Sequence, residues 1–208
     1  MYAGRKAWLS APFFISGRLQ NAPADVLFYG RRASVTDASG ERMKQQEIER
    51  KFLVKSDGWR GRAEGELFRQ GYIARTQDRT VRVRVTGKKG MLTIKYRGEG
   101  IARSEFEYEI PLEEAQALLD GLDPGEIIEK MRHTFTCDGS VWEVDEFLGA
   151  NRGLVVAEIE LESADQPFVR PEWLGEEVSR ISRYLNVELS KLPYTAWTKE
   201  EKEVGKNS

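Results

Sequence analysis

The feature that most constrains this chain is a strict two-residue alternation between apolar and charged side chains, repeated in at least seven separate runs after residue 46. In Glu47-Ile48-Glu49-Arg50-Lys51-Phe52, Glu47, Glu49 and Lys51 share one face while Ile48 and Phe52 take the other. Val81-Arg82-Val83-Arg84-Val85, Leu92-Thr93-Ile94-Lys95-Tyr96 and Glu105-Phe106-Glu107-Tyr108-Glu109-Ile110 repeat the design. Lys130-Met131-Arg132, Val141-Trp142-Glu143-Val144-Asp145 and Ala157-Glu158-Ile159-Glu160-Leu161-Glu162 continue it. Successive side chains of a strand point to opposite sides of the sheet, so this pattern demands β-strands with one apolar and one charged face. Gln70-Gly71-Tyr72-Ile73 reads as a further short strand, and Gly87-Lys88-Lys89-Gly90 and Asp138-Gly139-Ser140 read as hairpin turns. Two helices are expected: one over Pro111–Leu119, and one from about Glu176 to Lys191, where Val178, Ile181, Leu185 and Leu189 recur at helical spacing. The sum is an α+β chain built on a large antiparallel sheet or barrel.

A sheet with one solvated face also alternates apolar and charged residues. Such a face normally mixes signs, because like charges set side by side destabilise a sheet. Here the signs segregate along each strand: Glu47 with Glu49, Glu105 with Glu107 and Glu109, Glu158 with Glu160 and Glu162, and, oppositely, Arg82 with Arg84 and Lys130 with Arg132. Rows of carboxylate are tolerable around a hard divalent cation, and rows of Arg and Lys around a polyanion. A metal phosphate needs both on one surface, and the interior of a β-barrel, lined by alternate residues of every strand, supplies such a surface.

Composition narrows the chemistry. The 208 residues carry 32 Lys+Arg against 34 Asp+Glu, a net charge of −2, which argues against bulk attraction to nucleic acid or an anionic membrane. One cysteine, Cys137, and one histidine, His133, exclude an internal disulfide, a Cys-rich zinc site and a two-histidine metalloprotease helix. His133 falls opposite Lys130 and Arg132 and reads as an outer residue; Cys137, Trp142, Trp173 and Trp197 read as packing residues. No apolar stretch is long enough for a membrane helix. Residues 1–42, free of acids as far as Ala24, are set apart as an N-terminal extension, either disordered or preceding a true start at Met43; residues 196–208 read as a C-terminal tail.

The ordered series Glu47-x-Glu49-x-Lys51, Gln70-Gly71-Tyr72, Arg82-x-Arg84, Thr93-Ile94-Lys95, Glu105-x-Glu107-x-Glu109, Lys130-x-Arg132, Glu143-x-Asp145, Glu158-x-Glu160 and Arg183-Tyr184-x-Asn186 resembles the CYTH domain superfamily, the triphosphate tunnel metalloenzymes. The resemblance implies a domain over residues 43–195 and a closed eight-stranded antiparallel barrel with a few flanking helices. It implies metal ligation by Glu47, Glu49, Glu107, Glu143, Asp145, Glu158 and Glu160, with Mg²⁺ or Mn²⁺ as the cation. Substrate binding would fall to Lys51, Arg82, Arg84, Lys95, Lys130, Arg132 and Arg183, with Glu47, Glu49, Lys51 and Arg183 in catalytic roles. Family members often carry an acid and a base just before Arg-Tyr, where this chain has Ile181-Ser182.

Phosphoryl transfer asks for positioning and charge neutralisation more than for covalent help, which this residue set can provide. The expected activity is metal-dependent hydrolysis of inorganic triphosphate by a cytoplasmic enzyme, monomeric or homodimeric, with no nucleic-acid or membrane partner. Adenylate cyclase of the class IV type, thiamine or nucleoside triphosphatase, and a polyphosphate- or nucleotide-binding module without turnover are the alternatives.

Overall fold

The computed structural model describes residues 45–97 and 102–203; the reading of residues 1–42 as an extension lies outside them. Nine strands form one antiparallel sheet: β1 (Gln45–Val54), β2 (Gly65–Arg75), β3 (Arg79–Thr86), β4 (Lys89–Arg97), β5 (Ala102–Ile110), β6 (Ile128–Cys137), β7 (Ser140–Phe147), β8 (Val155–Leu161) and β9 (Leu174–Glu177). Their order is β5-β4-β3-β2-β6-β7-β8-β1-β9, and β1 pairs with β5 as well, Gln45–Ile48 against Ala102–Glu105. Most of these strands are consecutive hairpins. The β6–β7 turn is built on Asp138 and Gly139, with φ of 50° and 79°, the left-handed pair that a two-residue turn between right-twisted strands requires.

The alternation settles which side of the sheet is apolar. Val83, Val85 and Leu92 face the helix α1 (Leu112–Asp120) and pack on Ala115 and Leu119. Glu113 and Glu114 occupy its first turn, where carboxylates suit the helix dipole. Gly71 passes beneath this layer; a Cβ there would lie 2.4 Å from Leu122 Cδ1. On the other half of the sheet, Phe52, Trp142, Val144, Ala157 and Ile159 are covered by Trp59, Phe168 and Trp173 from the intervening loops. Each large side chain buried in this layer contributes about 1.5–3 kcal/mol. His133 lies on this apolar side, stacked edge-on to Trp59 at 5.0 Å with Nδ1 3.1 Å from the Ala63 carbonyl oxygen, and Cys137 is buried in the same apolar layer.

Two expectations are corrected. Among the described residues β9 adds a ninth strand to the eight expected, and residues 176–191 are not one helix: β9 ends at Glu177, a 3-10 turn spans Ser182–Tyr184, and α2 covers only Asn186–Leu189. The backbone has better partners than its own turns here. Val178 N–H donates to the Lys51 carbonyl at 2.8 Å, and the Lys51 N–H donates to Ser179 Oγ at 2.9 Å, so the segment follows β1 as an edge. Its apolar residues are still buried. Val178, Tyr184 and Leu189 join Ile128, Phe147, Leu154, Val156 and Trp197 in a cluster at one end of the charged face. Beyond Trp197 the chain forms the short helix α3 (Lys199–Glu203).

Candidate active site

Alternate residues of β1, β6, β7 and β8 build the first half of the charged face. Arg132 on β6 is its hub: Nε and Nη2 donate to the two carboxylate oxygens of Asp145, each at 2.6 Å, and Nη2 donates to Glu158 at 2.7 Å. Nη1 of the same guanidinium is bonded to Glu143. Lys130 is bonded to Asp145, and Lys51 to Glu158 with Glu49 3.2 Å away. Asp145 is fully buried and Lys130 is 1% exposed. Burial opposes charge at Asp145 and Glu158, but Arg132 with Lys130 and Lys51 with Arg132, respectively, outweigh it and hold both carboxyls below their ordinary range. At Lys51 burial likewise opposes the charge, and Glu158 and Glu49 overcome it, raising the pKa. Lys130 goes the other way: burial and then repulsion from Arg132 lower it to about 8.

The second half spans β2 to β5. Arg82 Nη2 donates to Thr93 Oγ1 at 3.1 Å, Thr93 Oγ1 donates to Glu107 at 2.8 Å, and Arg84 Nη2 donates to the same carboxylate at 2.7 Å. Lys95 Nζ lies 2.8 Å from Glu105, and Arg82 lies 3.6 Å from both Glu105 and Glu107. Among the buried donors of this half, Arg82 Nε and Gln70 Nε2 make no hydrogen bond to protein. Leaving a buried donor unmade costs about 1–3 kcal/mol, so both mark places where an oxyanion would be welcome.

The sequence-derived set is thus largely brought together. Lys51, Arg82, Arg84, Lys95, Lys130, Arg132, Glu107, Glu143, Asp145 and Glu158 lie in these two networks, joined there by Glu105, while Glu49 is partly exposed at their edge and Glu160 is exposed. Glu47 pairs through its backbone with Arg103; its side chain lies outside what is described. Arg183 is engaged elsewhere: its guanidinium sits over Trp197 at 5.2 Å and donates to the Glu201 carbonyl at 3.2 Å. The buried Tyr184 beside it stacks on Trp197. Gln70, Thr93, Glu105 and Phe68 had no assigned role from sequence. The first three stood in motifs already noted; Phe68 fell outside the short β2 expected there.

A divalent cation suits the carboxylates of one edge. In the ladder Glu49 stands directly opposite Glu160, and Glu143 directly opposite Glu158, like-charge pairs that favour a cation nearby; Arg132 serves Glu143 and Glu158, and Lys51 serves Glu49. All four donors are hard oxygens. Among the described residues no three carboxylates are already grouped as a metal cage, consistent with Arg132 and Lys51 occupying Glu143, Glu158 and Glu49.

The antiparallel sheet thus gathers charged side chains on one largely buried face, where cations and carboxylates are paired across neighbouring strands. The family model described as the CYTH domain matches residues 45–194, and the chain belongs to that family. Among curated proteins it is similar to an inorganic triphosphatase of Acetivibrio thermocellus, 51% identical over 149 residues that make up 72% of this chain and 96% of that one. It is also similar to an inorganic triphosphatase of Nitrosomonas europaea, 36% identical over 69% of this chain and 96% of the relative. A crystal structure of an inorganic triphosphatase superposes with a TM-score of 0.54 at 34% identity, covering 69% of this chain and 93% of that one.

Proposed function

We propose that this protein is a metal-dependent triphosphatase that hydrolyses inorganic triphosphate to pyrophosphate and phosphate. The observation that carries the reading is the placement of Lys51, Arg82, Arg84, Lys95, Lys130 and Arg132 on one largely buried face. Six cations there are ion-paired with six carboxylates, Glu49, Glu105, Glu107, Glu143, Asp145 and Glu158. The close relatives named inorganic triphosphatase support the same substrate.

On this reading the β1–β5 pairing closes β1 to β8 into a tunnel, with β9 added outside it, and residues 43–195 are the functional unit. Arg82 Nε and Gln70 Nε2 take phosphoryl oxygens first, since they have no partners to surrender. Arg84, Lys95, Lys51, Lys130 and Arg132 follow by exchanging carboxylate for phosphate, with the arginines able to grip two oxygens at once. The released carboxylates, Glu49, Glu143, Glu158 and Glu160 together with Glu47, would hold Mg²⁺ or Mn²⁺. Bound there, the cation would neutralise phosphate charge and acidify an attacking water. Glu107 and Asp145, the partners that hold Arg84 and Arg132 before substrate arrives, complete the carboxylate set. Arg183 joins the set only by exchanging Trp197 and Glu201 for phosphate. Cation and triphosphate each free the counter-ions the other needs, so their binding is positively coupled.

The proposal includes a cytoplasmic location and a monomer or homodimer without nucleic-acid or membrane partners; no described helix is long and apolar enough to cross a membrane. A panel of tripolyphosphate, ATP and thiamine triphosphate with Mg²⁺ or Mn²⁺, read by product identification, tests the activity. Pyrophosphate and phosphate from tripolyphosphate at the highest kcat/KM are expected. Cyclic AMP from ATP, or no release from tripolyphosphate by folded protein, would overturn it.

A further inference from the structure

An aromatic on the charged face that no charge argument explains is Phe68. It lies on the same side of β2 as Gln70, pairs across the ladder with Thr86 on β3 and Lys130 on β6, and is only 9% exposed. A guanidinium from each half of the face comes to its ring: Arg84 Cζ lies 5.4 Å from the centroid and Arg132 Cζ 5.3 Å. Both distances fall inside the range in which a cation is attracted to an aromatic π-cloud, and burial strengthens that attraction. Each guanidinium is at the same time anchored to its own carboxylate, Arg84 to Glu107 and Arg132 to Asp145, so the ring is shared by two cations held from separate sides of the face.

We propose that Phe68 is a positioning residue that holds Arg84 and Arg132 apart at a fixed spacing, so that the two guanidiniums meet different phosphoryl groups of one triphosphate; this rests on the functional reading above. The ring touches no reacting atom. It acts through the two arginines, keeping water from between them and preserving their orientation while they change partners from carboxylate to phosphate. An aliphatic side chain of similar bulk would fill the space without attracting either cation, and a tyrosine would keep the π-face.

The test compares wild type, Phe68→Leu and Phe68→Tyr by calorimetric titration of tripolyphosphate with divalent metal chelated, by kcat and KM with Mg²⁺, and by melting temperature. Losing the π-face in Phe68→Leu is expected to weaken tripolyphosphate binding roughly tenfold, with the loss falling on KM more than on kcat. Phe68→Tyr is expected to stay near wild type. Phe68→Met, flexible and apolar, replaces the leucine variant should that fail to fold. Wild-type affinity in Phe68→Leu or Phe68→Met, or equal losses in Phe68→Tyr, would overturn the inference while leaving the triphosphatase reading intact. A wild type that neither binds nor hydrolyses tripolyphosphate overturns that reading, and this inference with it.

Discussion

Around Arg132, charge meets charge at every turn, whereas around Arg82 donors remain to be used. In the β6–β7–β8–β1 half, Lys51, Lys130, Arg132, Asp145 and Glu158 are all buried and mutually bonded. In the β2–β5 half, a hydroxyl, Thr93, sits between Arg82 and Glu107, and Arg82 Nε and Gln70 Nε2 make no hydrogen bond to protein. Buried ion pairs repay their desolvation only when the geometry is excellent and every partner is present. On the proposed function, the first half is a stability element that must be unlocked for binding, and the second offers phosphate two donors, Arg82 Nε and Gln70 Nε2, before any ion pair is given up.

Removing the hub should break this contrast most severely. Arg132→Leu leaves Asp145 and Glu158 short of donors in a dry site and is expected to cost about 3–5 kcal/mol in urea unfolding at neutral pH. The carboxyls are held below their ordinary pKa in the folded protein, so the stability they contribute is present above the unfolded carboxylate pKa, near 4, and fades as pH falls through the folded values. The penalty of the variant should accordingly shrink in acid. A loss no larger than that of Arg82→Leu would remove the distinction between the halves.

Glu49 sits at the edge of the first half, partly exposed, with Lys51 as its ion-pair partner. Glu49→Gln should therefore change stability by less than about 1 kcal/mol. Turnover of tripolyphosphate should nevertheless fall at least about 100-fold if the carboxylate holds the cation. Steady-state kinetics beside a melting curve separates the two effects, and retained activity would take Glu49 out of the site.

Lys130 gives a smaller and more graded effect. Burial and Arg132 bring its pKa to about 8 from an ordinary value of 10.5. Between those pH values the unfolded chain binds the proton and the folded one does not, so this group's contribution to stability rises with pH across that window. Its contribution to phosphate binding runs the other way, as the charge is lost. The pH profile of kcat/KM should bend downward above about pH 8, and Lys130→Arg, which stays charged, should straighten it.

The face was legible in the sequence because charge of one sign repeated at every second residue, a pattern that survives without any knowledge of which strands pair. Arg82 and Arg84, Lys130 and Arg132, and Glu143 and Asp145 were placed by parity alone, and so was His133 on the far side. The hub role of Arg132 was not legible, since it depends on β6, β7 and β8 lying side by side. Phe68 was hidden for a related reason: an aromatic among charged positions weakens the alternation, and Gly65–Arg69 gains its strand character from the ladder to β6. The segment after Glu176 misled through a true signal. Val178 and Leu189 are buried as their spacing suggests, but burial at intervals of three and four does not require a helix when an edge strand offers hydrogen bonds first. Arg183 depended on family likeness, and its contacts with Trp197 and Glu201 come from residues far along the chain that no local pattern reports.

The exchange of partners is most directly tested by titrating Mn²⁺ into the protein calorimetrically, with and without saturating pyrophosphate, and then reversing the order. If anion binding frees the carboxylates of the β6–β7–β8–β1 half, the anion should tighten Mn²⁺ binding at least about tenfold, and Mn²⁺ should tighten pyrophosphate binding by the same factor. Equal Mn²⁺ affinity in the two titrations would contradict the account.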